Sequence, residues 1–185
     1  QAIQQILADA SQLIAVFDLK LADHTGHQEA LKTAQFALLQ GHKLTGNYQS
    51  PYESAPQRIV LHPYRLCLIK QAWYLIGHLE GESTIKTLRV ARFKTLRMLT
   101  EAAQVHENFN LRDYLGNAWS VYRGETTYQV KLRFTPEAAN LVTETIWHHT
   151  QQVTKHRDGS VTLEFTVAGL QEILHWLLSW AGRIR

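Results

Sequence analysis

The sequence predicts an α+β protein: N-terminal helices, then a small β-barrel of the Sm or SH3 type, then a ferredoxin-like α/β sandwich. Three observations predict this fold class. Apolar residues recur at helical spacing before residue 43, and short β-like runs fill residues 43–103. A strand–helix–strand–strand–helix pattern fills residues 128–185. The 185 residues are 45% hydrophobic and 19% charged, which is typical of a globular protein.

The N-terminal segment, residues 1–42, is predicted to hold two helices. Apolar side chains fall every three to four residues from Ile3 to Phe17, as in an amphipathic helix. A second apolar face ends at Gly41 and consists of Ala30, Leu31, Ala34, Ala37 and Leu38. Two helices of this size bury little surface by themselves. We therefore expect this segment to link domains or to dimerise the chain.

Residues 43–103 contain runs of β-forming residues that are separated by turn residues. The runs are Lys43–Ser50, Gln57–His62, Arg65–Lys70, Trp73–Leu79, Thr84–Val90 and, as a sixth candidate, Lys94–Leu99. The dipeptide His62-Pro63 is predicted to end one strand before the next begins. Strands this short and numerous favour a small, strongly bent barrel. Side chains fill the inside of such a barrel, so a ligand is expected on its rim or outer face.

Residues 104–127 are predicted to be a linker with one short helix, Leu111–Ala118. In residues 128–185, an alternating strand precedes a helix that has Pro136 at its first position. The pattern lacks only one strand of a ferredoxin-like sandwich, and Ile184 is predicted to begin that strand. The chain starts at Gln1 and stops within this pattern, so we expect it to be a piece of a longer protein.

Positive charge is concentrated in the predicted barrel. Residues 58–99 carry eight Lys and Arg residues against two Glu, whereas the whole chain has a net charge of +3. A local block of this kind points to an anionic partner. The alternative is that these cations only solvate the sheet surface.

The sequence holds no familiar catalytic or metal-binding motif. A single cysteine, Cys67, excludes an internal disulfide and a multi-thiolate zinc site, and the ten histidines form no four-ligand set. Nucleophile elbow, P-loop and dinucleotide fingerprint are all missing, so we predict no enzyme, no cofactor and no metal. No apolar run reaches the roughly 18 residues that span a bilayer, and no secretory leader is visible. These features favour a cytoplasmic protein without membrane contact.

Strand alternation places several polar side chains on one outer surface of the predicted barrel. Leu75 is expected to face the core, so its neighbours Tyr74 and His78 are expected to face outward. Arg65 and Arg89 are expected outward in the flanking strands. A guanidinium suits phosphate oxygens, and an aromatic ring stacks on a base. This surface slightly favours a nucleotide or single-strand site. In the alternative, Tyr74 packs at an edge and the arginines pair with acidic residues.

The stretch Leu61–His78, LHPYRLCLIKQAWYLIGH, resembles the signature of the WYL domain. LRVARF at Leu88–Phe93 is similar to the family's arginine-containing motif, and KLTGNYQS at Lys43–Ser50 is similar to its first strand. Residues 128–185 resemble the C-terminal extension that commonly follows a WYL domain. One departure is Ala91, which stands where the family has an aspartate. The contact through which that aspartate would orient an arginine is therefore expected to be missing.

The resemblance implies a ligand-sensing barrel of homodimeric bacterial transcription regulators. It implies that the effector is a nucleic-acid fragment or a nucleotide, single-stranded DNA included. The matching positions nominate as ligand-binding residues Tyr48, Ser50, Arg65, Tyr74, His78, Arg89 and Arg92, and more remotely Arg133. Such regulators carry a winged helix-turn-helix before the barrel, and residues 1–42 show no such pattern. Duplex DNA is therefore expected to bind only through a domain outside this chain.

Three functions are compatible with these observations. The first is the effector-sensing and dimerising region of a WYL regulator, in which a ligand controls DNA binding allosterically. The second is an accessory module that binds single-stranded nucleic acid within a nuclease or helicase system. The third is an enzyme that acts on nucleotides, for which the sequence supplies no evident nucleophile or metal site. We predict the first function.

Overall fold

A computed structural model describes residues 25–184 and shows two antiparallel sheets accompanied by helices. The predicted α+β class is confirmed. The predicted helix from Ile3 to Phe17, with its proposed role in dimerisation, lies outside the described residues. No helix of residues 25–184 is both long and apolar enough to cross a membrane.

The described residues contain four α-helices, eight strands and two short 3-10 turns. The helices are α1 (Gln28–Gln40), α2 (Leu111–Leu115), α3 (Pro136–Thr143) and α4 (Gln171–Leu178). The strands are β1 (His42–Tyr48), β2 (Gln57–Ile69), β3 (Ala72–Leu79), β4 (Ile85–Arg89), β5 (Phe93–Ala102), β6 (Thr127–Phe134), β7 (Gln152–Lys155) and β8 (Val161–Ala168). The 3-10 turns are Thr25–His27 and Val90–Arg92.

The first sheet has the strand order β4-β3-β2-β1-β5 and packs one face against α1. Ala34 and Ala37 of α1 are fully buried, because their small side chains let the helix approach the sheet closely. Leu44 and Leu75 meet them from the sheet. Gly41 ends α1 in the left-handed conformation with φ of 68°, as the sequence predicts.

The predicted break at His62-Pro63 is wrong. β2 runs from Gln57 to Ile69 without interruption, and its register against β3 shifts between Pro63 and Arg65. This bulge accommodates a proline, which has no N–H to donate to the ladder. Gly77 lies opposite, where any side chain would overlap the carbonyl oxygen of His62.

The described strands do not form a closed barrel, so the predicted barrel is not confirmed. β4 and β5 lie at opposite edges of the sheet. In a flat sheet those edges would be about 19 Å apart, since neighbouring strands lie about 4.8 Å apart. The chain from Arg89 to Phe93 can span only about 14 Å. The sheet must therefore curl, which brings β4 and β5 towards each other.

The second sheet has the order β6-β8-β7 and carries α3 and α4. The predicted order of strands and helices is confirmed, and Pro136 is the first residue of α3. Ile184 forms an isolated antiparallel bridge with Phe134 of β6, at the position where a further strand is predicted. A ferredoxin-like sandwich is not confirmed, because only this bridge represents its fourth strand. Phe134, Leu163 and Phe165 form the buried centre of this unit.

The connection between the sheets contains a shorter helix than predicted. Asn110 caps α2, since its side-chain oxygen accepts hydrogen bonds from the N–H groups of Arg112 and Asp113. Gly116, with φ of 50°, ends the helix three residues after Asp113. The helix therefore stops at Leu115, and residues 116–126 run as turns and extended chain towards β6.

Candidate functional site

Strand register brings four of the predicted residues to one face of the first sheet, opposite α1. Tyr74 of β3 is paired with Arg89 of β4, and Ile76 is paired with Arg65 of β2. His78 follows two residues after Ile76, on the same face. The shared face that the alternation predicts is therefore present.

This face is partly covered by the connection between the sheets. Phe109 packs edge-on against Tyr64, with ring centroids 4.9 Å apart, and lies 6.0 Å from the guanidinium carbon of Arg65. The hydroxyl of Tyr114 lies 3.0 Å from that of Thr87. His78 is only 7% exposed, since the rings of His62, Tyr64 and His106 pack against it. The prediction that His78 faces solvent is wrong, because alternation gives the face of a residue and not what covers that face.

Three histidines stack here: His62 and His78 are buried, and His106 belongs to the connection and is exposed. The rings of His62 and His78 lie 4.2 Å apart, and those of His78 and His106 lie 5.4 Å apart. The hydroxyl of Tyr64 is 2.8 Å from Nδ1 of His78. Burial lowers the pKa of His78, and the neighbouring imidazoles lower it further, although Glu80 opposes them. His78 is therefore neutral at neutral pH.

His62 links the histidine stack to the segment between the two sheets and to the protein surface. Its Nδ1 accepts a hydrogen bond of 2.9 Å from the backbone N–H of Gln104. In the neutral ring the proton must then sit on Nε2, which donates to Glu80 Oε2 at 2.9 Å. Lys43 Nζ also donates to this oxygen at 2.9 Å. The hydrogen bonds from Lys43 and then His62 lower the pKa of Glu80.

A cleft of about 980 Å3 lies between the first sheet and the start of the second unit. One wall comes from the end of β1, the turn after it and β4. The other wall comes from α2, residues 121–123 and the first turns of α4. Its lining includes Tyr48, Ser50, Tyr52, Tyr74, Lys86, Arg92, His106, Tyr114, Tyr122, Arg123, Glu172 and His175. A volume of this size is within the usual range for ligand sites.

The cleft combines cations with aromatic rings. Lys86 and Arg92 line one wall and Arg123 lines the other, whereas Glu172 is the one acidic residue of the lining. The carboxylate of Glu172 accepts hydrogen bonds from the backbone N–H groups of Ser120 and Val121, at 2.7 and 3.1 Å. Lys86 also forms an exposed ion pair with Glu82. The cleft therefore has a net positive lining and attracts anions.

Half of the predicted site residues line this cleft, namely Tyr48, Ser50, Tyr74 and Arg92. Tyr48 can present little more than its hydroxyl to a ligand in the cleft, because the residue is 8% exposed and its ring packs edge-on against Phe93. That hydroxyl accepts a hydrogen bond of 3.2 Å from the backbone N–H of Arg89. Nε of Arg89 is buried and has no hydrogen-bond partner among the described residues.

Arg133 lies away from the cleft, on β6 of the second sheet. Its Nη2 donates to Asp158 Oδ2 at 2.8 Å, and its Nε donates to the hydroxyl of Ser160 at 3.0 Å. Hydrogen bonds from Ser160, together with the charge of Arg133, lower the pKa of Asp158 to about 2. Arg133 thus stabilises the turn that joins β7 to β8.

Sequence reasoning missed several of the residues that complete the cleft. Tyr52 and Lys86 belong to the first sheet unit, whereas Tyr114, Tyr122 and Arg123 belong to the connection. Only the packing of the two units brings them together. The one local signal is the adjacent pair Tyr122-Arg123, an aromatic ring next to a guanidinium.

A second, smaller depression of about 330 Å3 lies on the first sheet and contains Arg58 and Arg97. Arg97 lies beside Thr45, and Arg58 beside Asn47, on the two sides of β1. No large hydrophobic or aromatic side chain lines this depression. No set of three or more His, Cys, Asp or Glu residues within residues 25–184 is arranged to hold a metal ion.

Among solved structures, two larger proteins match this chain. Proteasome accessory factor B/C (PafBC) of Arthrobacter aurescens is 17% identical, with a TM-score of 0.43; the match covers 96% of this chain and 26% of that one. A CRISPR Cas-related protein is 11% identical, with a TM-score of 0.50; the match covers 84% of this chain and 45% of that one. The chain therefore spans less than half the length of either protein. No curated protein sequence matches it significantly.

Two protein families match the chain directly. Residues 29–98 match the WYL domain, and residues 126–185 match the WCX domain. The first match contains β1 to β4 with most of β5, and the second contains the whole second sheet. The cleft lies where these two segments meet. The chain belongs to the WYL-domain proteins and carries a WYL domain followed by a WCX domain.

Proposed function

We propose that this chain is the effector-sensing region of a bacterial WYL-type transcription regulator. In this proposal the cleft binds a short single-stranded oligonucleotide or a nucleotide. The WYL and WCX domains suggest a regulatory sensing region. The observation that carries the proposal is the cleft of about 980 Å3, which has cations and tyrosines on both walls. Proteins that bind single strands combine these same two features.

The proposed contacts divide into phosphate contacts and base contacts. Arg92, Lys86 and Arg123 hold phosphates, for which planar guanidinium groups are well suited. Tyr74 offers a ring for stacking, and Ser50 offers a hydroxyl. Each phosphate that a cation neutralises makes binding more sensitive to salt.

The remaining predicted residues receive other roles. Arg89 is assigned a phosphate contact through its terminal guanidinium nitrogens, because it is paired with Tyr74 across β3 and β4. His78 positions His106, a lining residue, through ring stacking. Arg65 donates to the carbonyl of Tyr64 and Arg133 to the carboxylate of Asp158, so neither is assigned a direct contact with the ligand.

We further propose that residues 43–103 form an Sm/SH3-like unit and residues 128–185 a ferredoxin-like unit, joined by residues 104–127. The curled sheet supports the first assignment. The bridge of Ile184 to β6, on the side away from β8, supports the second. The unit is proposed to work without enzymatic activity, as a homodimer. The ligand would favour one dimer arrangement and so change duplex binding by a separate DNA-binding domain.

Fluorescence anisotropy of short, labelled single-stranded DNA at two salt concentrations tests the proposal. Arg92→Ala is expected to weaken binding and to lower the salt slope by about 0.7, the value for one phosphate contact of a single strand. Tyr74→Ala is expected to weaken binding by about 1–3 kcal/mol. The matched control is Arg97→Ala, which removes an arginine from the second depression. Equal losses for Arg92→Ala and Arg97→Ala would contradict a site in the cleft.

Sedimentation of the protein with and without the oligonucleotide separates the regulator from an accessory binding module. A sensor whose ligand selects a dimer arrangement is expected to change its sedimentation coefficient or its dimer equilibrium when the strand binds. Tight binding without either change would favour the accessory module of a nuclease or helicase system.

A further inference from the structure

We propose that Tyr52 and Tyr122 form an aromatic clamp that holds an unpaired nucleobase across the cleft. This inference rests on the proposed function and narrows it, because it requires the effector to present at least one base outside a duplex. The two tyrosines come from different parts of the chain, Tyr52 from the turn after β1 and Tyr122 from the segment before β6, and both line the cleft.

Tyr122 belongs to a firmly held part of its wall. The backbones of Gly124 and Gly169 approach so closely that a Cβ on Gly124 would lie 2.7 Å from Cα of Gly169. Gly124 N–H donates to the carbonyl of Ala168, and Gly169 N–H donates to the carbonyl of Thr126, each at 3.0 Å. The ring of Tyr122 lies beside Gly169, since its Cε1 would be 3.5 Å from a Cβ built there, an ordinary van der Waals contact. The backbone contacts of Gly124 hold the chain next to Tyr122 in place.

Glu172 adds a second anchor to the same segment. Its carboxylate accepts a hydrogen bond from the N–H of Val121, the residue before Tyr122, at 3.1 Å. Even so, 48% of Tyr122 is exposed. The backbone beside Tyr122 is thus anchored while its side chain stays half exposed, which suits a stacking platform.

Tyr52 presents an almost entirely uncovered ring. It is 94% exposed, the highest value among the large hydrophobic side chains of residues 25–184. Its backbone is held by a tight turn, in which Glu53 N–H donates to the carbonyl of Ser50 at 3.2 Å. A single exposed tyrosine is ordinary on a protein surface. Two exposed tyrosines from distant segments that line one positively charged cleft are the observation that carries the clamp.

The chemistry of the clamp favours a base over a bare polyanion. A polyphosphate would need only the cations Arg92, Arg123 and Lys86. Two exposed rings in the cleft add affinity for a flat group that can stack on them, and every nucleobase has such a face. In a duplex that face is covered by neighbouring base pairs. The clamp therefore selects single strands or free nucleotides.

The test compares two labelled probes: a short oligothymidylate and a strand of the same length built of abasic sites. Tyr52→Leu and Tyr122→Leu are each expected to weaken binding of the oligothymidylate by about five- to 150-fold, the range for loss of one stacked base. Binding of the abasic strand is expected to stay unchanged. Tyr52→Phe and Tyr122→Phe keep the ring and should bind like the wild type. Tyr128→Leu, on β6 outside the cleft, is the matched control.

The outcomes distinguish the clamp from the proposed function. If the leucine variants bind the oligothymidylate like the wild type while Arg92→Ala does not, the clamp is wrong and the cleft remains the site. Equal affinity of the wild type for the two probes would also overturn the clamp. If the wild type binds neither probe, both the clamp and single-strand binding are wrong.

Discussion

Glu172 is expected to hold together the wall of the cleft that α4 and the connection share. Its carboxylate accepts the N–H of Ser120 at 2.7 Å and the N–H of Val121 at 3.1 and 3.2 Å. It also lies in the first turn of α4, where a negative charge is favourable. The change Glu172→Ala removes the acceptor from two backbone donors at once.

The size of the effect follows from these contacts. A hydrogen bond to a charged group contributes about 1.5–3 kcal/mol. Glu172 is half-buried, so water replaces part of the loss, and two bonds at the lower end give about 3 kcal/mol. For a chain of this length, that corresponds to a fall in Tm of about 6–12 °C. Glu172→Gln retains one acceptor oxygen and should lose less than the alanine variant.

Urea unfolding followed by tryptophan fluorescence measures this loss, because Trp119 precedes Ser120 and packs in the core of the second unit. The matched control is Glu164→Ala, which removes an exposed ion pair with Lys131 and should cost less than about 1 kcal/mol. If Glu172→Ala loses no more stability than Glu164→Ala, Glu172 does not hold this wall.

Three further predictions concern stability, measured in the same unfolding experiment. Burial lowers the pKa of His78 and of His148 below the ordinary 6.5, so the unfolded chain takes up protons that the folded chain does not. The contribution of each histidine to the free energy of unfolding should be fully present above pH 6.5. Below that pH, the free energy of unfolding should fall by up to about 1.4 kcal/mol per pH unit for each group. A free energy of unfolding that does not change with pH would contradict this. Gly46→Ala should cost about 3 kcal/mol or more, because its Cβ would overlap a carbonyl oxygen of β5, whereas Gly26→Ala has open space and should be neutral. Tyr64→Phe should cost about 1–3 kcal/mol by leaving the buried Nδ1 of His78 without a partner, and an unchanged midpoint would refute that bond.

Local patterns predict the elements of this chain well. The spacing of apolar residues with Gly41 predicts α1 and its end, and Pro136 marks the start of α3. Each of these signals acts within a few residues, so it is legible in the sequence. The strand break predicted at Pro63 is wrong because a β-bulge accommodates the proline within β2. Such a bulge depends on the partner strand as well as on the proline itself.

The candidate site was predicted only in part, because it is built by contacts between distant segments. Alternation correctly groups Tyr74 with Arg89 on one face. It does not show that Phe109 and Tyr114 cover part of that face, or that Arg123 completes a cleft. Those contacts depend on how the connection folds back over the first sheet. No local pattern encodes that path.

Photo-crosslinking of a short single strand containing 4-thiothymidine tests the central claim most directly, since it reports which residues touch the bases. Binding in the cleft predicts crosslinked peptides that contain Tyr52, Tyr74 or Tyr122 from its two walls. Competition with unlabelled strand should remove them. Crosslinks confined to the depression around Arg58 and Arg97 would contradict the claim and would place the nucleic acid on the other part of the first sheet.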